Sequence, residues 1–255
     1  MAQQTPSTVV VIPARLHSSR LPGKVLADIG GKPLILRVWE RALCANIGPV
    51  YVACAEEEVA SVVLAAGGNV AMTDPALPSG SDRVWAALQE IEKDRGLCDC
   101  VVNLQGDLPF VEPRLLQEVI SLFNKAPEAD IATLAAFISY EQKSWEEPQI
   151  AKIALSFAPC GTYGRALYFS RSPIPHGEGS YAHHMGIYGF KRAALQRFVA
   201  LPPSPLEKRE SLEQLRALEA GMAIYVQMVD TVPQEVNTPE DLDRVRRMEV
   251  GCLSK

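Results

Sequence analysis

Val9-Val10-Val11-Ile12-Pro13-Ala14-Arg15-Leu16-His17-Ser18-Ser19-Arg20-Leu21-Pro22-Gly23-Lys24 is the stretch from which the fold is read. Four consecutive β-branched apolar residues, Val9 to Ile12, predict a strand buried on both faces, as in a parallel sheet, and Pro13 ends it. Arg15, Arg20 and Lys24 then crowd a short loop with Ser18, Ser19 and Gly23. In an open α/β sheet the loop after the first strand delivers ligand contacts, and three cations there suit a polyphosphate. Neither the G-x-x-x-x-G-K-[ST] nor the G-x-G-x-x-G pattern is present. Side chains, more than a nest of backbone amides, therefore have to grip the phosphates, guanidinium forks holding pairs of oxygens and the ammonium acting as a point charge. A solvated basic loop behind a core strand is the plain alternative at this point.

Outward from that stretch the pattern repeats as strand, loop and helix. Leu34, Ile35, Val38, Trp39 and Ala42 recur at helical spacing after Pro33; Val50 to Cys54 reads as a strand, Glu56 to Ala66 as a helix and Val70 to Met72 as a strand. This alternation predicts right-handed crossovers and a parallel sheet. Pro78-Ser79-Gly80-Ser81 leads into a helix expected from Asp82-Arg83 to about Lys93, with Ser81 as its N-cap. Small residues there let a ligand approach backbone amides, although a plain capped helix explains them equally. The strand Cys100 to Leu104 ends in Gln105-Gly106-Asp107, so Asp107 is either a Mg²⁺ ligand beside substrate phosphates or a turn aspartate. After the helix Glu112 to Lys125 and the strand Ile131 to Phe137 the regularity weakens. Residues 141–180 read as a partly antiparallel insertion whose exposed strands suit pairing with a twin subunit. Lys191 to Ala200 and Glu210 to Glu219 read as helices and Ala223 to Met228 as the last strand. Thr238-Pro239-Glu240-Asp241 opens a terminal helix with a capping box.

With 47% hydrophobic and 22% charged residues the 255-residue chain has the make-up of a globular protein, and a net charge of −5 argues against a general nucleic-acid binder. An anionic substrate must then be drawn in by a local basic patch. No signal segment or membrane-length apolar run is seen, which makes the cytoplasm the expected compartment. Cys44, Cys54, Cys98, Cys100, Cys160 and Cys252 form no Cys-x-x-Cys pair and read as reduced thiols filling space.

Six motifs then follow one another in a recognisable order. They are Ile12-Pro13-Ala14-Arg15 with Ser19-Arg20-Leu21-Pro22-Gly23-Lys24; Ser79-Gly80-Ser81-Asp82-Arg83; Gln105-Gly106-Asp107-x-Pro109; Leu167-Tyr168-Phe169-Ser170-Arg171; His184-Met185-Gly186-Ile187-Tyr188-Gly189; and Ser211-Leu212-Glu213-Gln214-Leu215-Arg216. In this the chain resembles the 3-deoxy-manno-octulosonate (KDO) cytidylyltransferases, the CMP-KDO synthetases, from Val9 to Arg246. The resemblance implies one α/β domain over residues 1–255, with a Rossmann-like, mixed but mostly parallel sheet of the nucleotide-diphospho-sugar transferase type, and an insertion or dimerisation lobe at about 141–180. It implies transfer of CMP from CTP to KDO with release of pyrophosphate and with Mg²⁺, for lipopolysaccharide synthesis, by a cytoplasmic homodimer that uses neither nucleic acid nor membrane. Arg15 and Lys24 would hold the CTP phosphates with Arg20 in support, and Asp107 the magnesium; Arg15, Lys24 and Asp107 would be the catalytic groups. Ala14, Ser79, Gly80, Ser81 and Arg83 would hold the nucleotide, and Gln105, Arg171, His184, Tyr188, Glu213 and Gln214 would surround KDO. Arg171 or a charged His184 would offset the repulsion between the KDO carboxylate and the phosphates.

On residue type alone Glu213 reads as a helix-surface salt pair and His184 as a satisfied strand histidine. Because neighbours on a helix do not share a face, Glu213 and Gln214 reach one ligand only from a helix end or if the ligand wraps the helix. The chain departs from the family pattern at Asn237, where an aspartate commonly shares the magnesium. An amide oxygen still binds Mg²⁺ but adds no charge, so weaker metal binding is expected unless another carboxylate, such as Asp230, helps. Leu108 and His183 also depart, where glutamate and arginine are usual. Two rival readings follow: a cytidylyltransferase for another acid sugar, and a CTP-binding protein without turnover.

Overall fold

The computed structural model describes residues 7–17 and 20–253. Ser18 and Ser19 of the basic loop, and the side chain of Cys252, lie outside the described residues. In chain order the elements are β1 (Thr8–Pro13), β2 (Asp28–Ile29), β3 (Lys32–Pro33), α1 (Leu34–Cys44), β4 (Val50–Cys54), α2 (Glu57–Ala65), β5 (Asn69–Met72), α3 (Gly80–Arg95), β6 (Cys100–Leu104), α4 (Pro113–Lys125) and β7 (Ile131–Ile138). There follow β8 (Lys152–Phe157), β9 (Tyr163–Ser170), β10 (Tyr181–Lys191), α5 (Arg192–Ala200), α6 (Pro205–Glu210), α7 (Leu215–Glu219), β11 (Ile224–Val229) and α8 (Pro239–Leu253). These make an α/β fold that divides into two compact units. One is the chain up to Leu116 together with Pro233 onward, and the other is Gln117–Val232.

The first unit has the expected parallel architecture. Its strands lie in the order β5-β4-β1-β6. Val10 sits opposite Val50, Val9 opposite Val101 and Tyr51 opposite Asn69, all in parallel ladders. Val9, Val10, Val11 and Ile12 are fully buried, as an unbroken β-branched run demands of a central strand covered on both faces. Helix α3 begins earlier than expected, at Gly80. Its N-cap is Ser79 rather than Ser81, with the Ser79 hydroxyl accepting from the Asp82 N–H at 3.2 Å. Ser79 takes extended dihedrals and so can cap, whereas Ser81 is already inside the helix and buried.

The second unit departs from a mostly parallel sheet. Its five strands close a ring in which β7 pairs with β10, β10 with β8, β8 with β9, β9 with β11, and β11 with β7. Only the β11–β7 ladder is parallel; the other four are antiparallel. Antiparallel pairing is thus not confined to residues 141–180, since β10 starts at Tyr181. Connection length explains the pattern. The link between β8 and β9 carries no helix, so these two pair as antiparallel neighbours, whereas β11 follows three helices and can return parallel to β7. Of the helix expected over Glu210 to Glu219 only Leu215–Glu219 forms as α7; α6 lies earlier and stops at Glu210, because Ser211 adopts φ +54°, a left-handed conformation.

Candidate active site

The basic loop is tied down at both ends. The Ala14 N–H donates to the Ala53 carbonyl at 2.8 Å, the Leu16 N–H to the Glu56 carboxylate at 3.2 Å, and the Gly23 N–H closes back onto the Leu16 carbonyl at 2.9 Å. Gly23 stands at φ +70°, which glycine adopts without steric cost, and turns the chain into a single 3-10 turn, Lys24–Leu26. Val25 is buried and anchors that turn. The Lys24 ammonium donates to Asp107 Oδ2 at 3.0 Å, to the Val236 carbonyl at 3.1 Å and to Asn237 Oδ1 at 3.3 Å. Arg20 donates to the same Asn237 oxygen at 3.1 Å.

Asp107 comes from the turn after β6, and that turn needs its glycine. A Cβ on Gly106 would lie 3.0 Å from the Pro13 carbonyl oxygen, too close for an unshifted backbone. The two sources of the cluster are joined by the Val236 N–H, which donates to the Asp107 carbonyl at 2.9 Å. Asn237 is set by the cap of α8. Asp241 Oδ2 accepts from the N–H groups of Asn237 and Thr238 at 3.1 and 3.0 Å, and the Thr238 hydroxyl accepts from the Asp241 N–H at 3.2 Å. Glu235 joins the same group by accepting from Asn237 Nδ2 at 2.8 Å. The protein packed around its carboxyl raises the Glu235 pKa, Asp107 adds to the rise, and the Asn237 hydrogen bond, Lys24 and Arg20 oppose it.

This donor set fits a hard cation: a carboxylate, an amide oxygen and a backbone carbonyl already gather around a positive charge. Among the described residues no group of three or more His, Cys, Asp or Glu side chains could hold a metal ion. Mg²⁺ takes one or two carboxylates and completes its shell from water and substrate phosphates, so Asp107 and Asn237 are the residues that would hold one.

Beside this cluster in the sequence lies a cleft lined by Pro13, Ala14, Arg15, Leu77, Ser79, Gly80, Arg83 and Gln105, holding about 390 Å³ of empty space, part of it open to solvent. Arg83 is a buried cation at its wall, donating to the Thr73 hydroxyl, which donates in turn to the Cys54 carbonyl at 3.1 Å. Gln105 Nε2 donates to Asn103 Oδ1 at 3.0 Å, which turns the amide oxygen the other way.

In the second unit His184, Tyr188, Glu213 and Gln214 form a separate group. The Thr133 hydroxyl lies 3.1 Å from His184 Nε2 and also donates toward the Met185 and Ile187 carbonyls at 3.1 and 2.9 Å, where β10 bulges. Its single proton serves the bulge, so His184 donates from Nε2 and keeps Nδ1 as an acceptor. Burial lowers the His184 pKa to about 3, with His183 adding to the shift, so this imidazole is neutral near pH 7. Burial raises the Tyr188 pKa well above that of an ordinary phenol, and the Glu213 charge raises it further. Gln214 is 5% exposed, and its Nε2 has no hydrogen-bond partner among the described residues. Arg171 spends its guanidinium on three carbonyls, those of Glu210 at 2.9 Å, Pro148 at 2.9 Å and Ser211 at 3.1 Å.

A family model described as cytidylyltransferase matches residues 9–224. A 3-deoxy-manno-octulosonate cytidylyltransferase of Parvibaculum lavamentivorans is 55% identical over 238 residues, covering 93% of this chain and 91% of the relative. One of Rhodospirillum rubrum is 51% identical over 240 residues, covering 94% of each. The chain belongs to the 3-deoxy-manno-octulosonate cytidylyltransferase family. A solved structure of CMP:2-keto-3-deoxy-manno-octonic acid synthetase complexed with CTP matches with TM-score 0.88 and 39% identity, covering 96% of this chain and 99% of that one. A cytidylyltransferase of Leptospira borgpetersenii shares the fold alone, with TM-score 0.60 at 16% identity.

For a member of the KDO cytidylyltransferase family the residues expected from sequence fall into three places. Lys24, Arg20, Asp107 and Asn237 meet in one cluster. Ala14, Arg15, Ser79, Gly80 and Arg83 line the cleft, and Gln105, expected beside the sugar, lines it with them. Ser81 lies buried in the first turn of α3. His184, Tyr188, Glu213 and Gln214 belong to the second unit, where Glu213 and Gln214 sit at the N-terminal end of α7, one of the two arrangements in which adjacent residues can serve the same ligand. Arg171 lies in that unit with its N–H donors on three carbonyls and its positive charge kept, whereas His184 is neutral, so the charge expected of the pair rests with Arg171. Sequence reasoning missed Glu235 and the Thr73 support of Arg83. Asp230, named as a helper for the metal, is exposed in the second unit.

Proposed function

We propose that this protein transfers CMP from CTP to KDO, forming CMP-KDO and releasing pyrophosphate. The observation that carries the reading is the meeting of Lys24, Arg20, Asp107 and Asn237 in the first unit, in a chain of this family whose solved relative was complexed with CTP. The nucleotide is placed in the cleft between the ends of β1 and α3, with Arg83 facing the base and Arg15 the phosphates. A buried fork of N–H donors suits the acceptor edge of cytosine, and uracil, which presents an N–H there, is disfavoured.

The anomeric hydroxyl of KDO attacks the α-phosphorus. Its oxygen forms the new O–P bond as its proton passes to solvent, and the bond from that phosphorus to the bridging oxygen of pyrophosphate breaks. Negative charge grows on the equatorial and leaving oxygens, so fixed cations and exact placement supply most of the acceleration. Lys24, Arg20 and Arg15 provide the charge, the first two held in advance by the contacts described above and Arg15 from the lining of the cleft. Magnesium, bound by Asp107 and Asn237, would contribute further charge neutralisation at the phosphates. On the sugar side, Gln214 Nε2 offers a buried donor with no partner among the described residues, and a sugar hydroxyl would give it one. His184 offers Nδ1 as an acceptor.

Further parts of the same reading are use of Mg²⁺, a homodimer, a cytoplasmic location and supply of lipopolysaccharide synthesis. The exposed rings of Phe137 and Phe157, 6.1 Å apart, and the exposed Leu167 support a self-pairing surface on the second unit. No helix among the described residues is long and apolar enough to cross a membrane. The test is pyrophosphate release with CTP, UTP, GTP and ATP, each offered KDO and several other acid sugars. Turnover confined to CTP with KDO is expected. Turnover with another acid sugar in its place, or CTP binding with no turnover at all, would replace this reading.

A further inference from the structure

We propose that Glu235 is a working part of the cation site: its carboxylate fixes which way the Asn237 amide faces and supplies the second negative charge beside Asp107. The inference rests on the reading of Asp107 and Asn237 as the place of a divalent cation. An amide can present either its oxygen or its NH₂, and only the oxygen attracts a metal ion. Glu235 Oε2 accepts from Asn237 Nδ2 at 2.8 Å, and an ionised carboxylate can pair with no other part of that amide. Asn237 Oδ1 is thereby turned to the side on which Lys24 and Arg20 already bring positive charge, at 3.3 and 3.1 Å.

The backbone holds this pair in place. Val236 is fully buried between the two residues, its N–H on the Asp107 carbonyl and its own carbonyl on Lys24. Glu235 and Asn237 are thus carried together past Asp107 on a fixed segment. Charge makes the same point: Asp107 and a neutral amide give one negative charge against two positive ones, and Glu235 gives the second. A carboxylate that hydrogen-bonds a metal-binding side chain in this way is a positioning residue, and losing one commonly weakens the metal about 10- to 100-fold.

The experiment measures Mn²⁺ binding to the full chain with CTP present, by the loss of the free-ion electron paramagnetic resonance signal, with thermal melting as a check on folding. Glu235→Gln, which keeps an acceptor for Asn237 but removes the charge, is expected to bind Mn²⁺ about tenfold more weakly. Placing Asn237→Asp in the Glu235→Gln background returns the missing charge and is expected to restore binding to within about threefold of the wild type. A merely structural Glu235 would not be rescued in that way. Glu235→Gln binding Mn²⁺ within twofold of the wild type, or failure of Asn237→Asp to restore it, would overturn the inference while leaving the metal reading standing. A wild-type chain that takes up no Mn²⁺ with CTP present would overturn the metal reading and this inference together.

Discussion

Lys24 and Asp107 show how much chemistry one ion pair can concentrate. Both side chains are largely shielded, at 15% and 20% exposure, and the ammonium is shared among three oxygens from two distant parts of the chain. Asp107→Ala is expected to lower kcat/KM for CTP by about 10²-fold or more while leaving the melting temperature little changed, because the lost group serves charge that develops in the reaction. Pyrophosphate release beside a thermal melt checks both halves. His184 makes a prediction about stability. Its folded pKa of about 3 lies below the unfolded value, so the unfolded chain binds more protons between about pH 6.5 and 3 and stability falls as pH drops through that window. His183 is shifted in the same direction, first by burial and then by Lys152. Melting from pH 7.5 to 5.0 is expected to show this decline, and His184→Gln to remove roughly 1–2 kcal/mol of it by pH 5. At this scale the cations and Asp107 were legible because they stand in motifs at strand ends. Glu235 was not, since one glutamate in a Pro-Gln-Glu-Val loop carries no periodicity or motif that separates it from a solvated side chain.

Strands and helices were legible where the local pattern was unopposed. The run from Val9 to Ile12 could only be a central strand, and the Thr238 to Asp241 capping box could only start a helix. Misreadings arose where a backbone conformation overrode residue type. Both Ser79 and Ser81 are good capping residues, and the choice between them is made by dihedral angle. Ser211 looks unremarkable inside a helical pattern, yet its positive φ cuts the helix and delivers Glu213 and Gln214 at a helix end. Ser79→Ala is expected to destabilise the first unit by about 1 kcal/mol and to raise the KM for CTP, because it loosens the turn that lines the cleft. Chemical denaturation and CTP-dependent rates measure the two effects.

The closed ring of the second unit was the least legible feature of the whole molecule. Ring closure is a matter of which distant edges meet, and β8 and β10 carry no local sign that they pair with each other. The parallel half, by contrast, followed from alternation alone. The assignment of nucleotide residues to the first unit and of sugar residues to the second gives a test that does not depend on turnover. In hydrogen exchange, CTP with Mg²⁺ is expected to slow the amides of residues 13–24, 79–83, 105–107 and 236–238. KDO alone is expected to slow those around His184 and Gln214. Protection of the second group by CTP alone, without the first, would require the two ligands to be reassigned.

The first unit is built from two stretches separated by the whole of Gln117–Val232. A ribosome making this protein at about 5–20 residues per second therefore makes Asp107 roughly 6–25 seconds, and Lys24 roughly 11–42 seconds, before Glu235 and Asn237 exist. Until then the nascent chain presents an acidic residue and an ammonium with only each other for company. The cluster is complete only once the whole of Gln117–Val232 has been made.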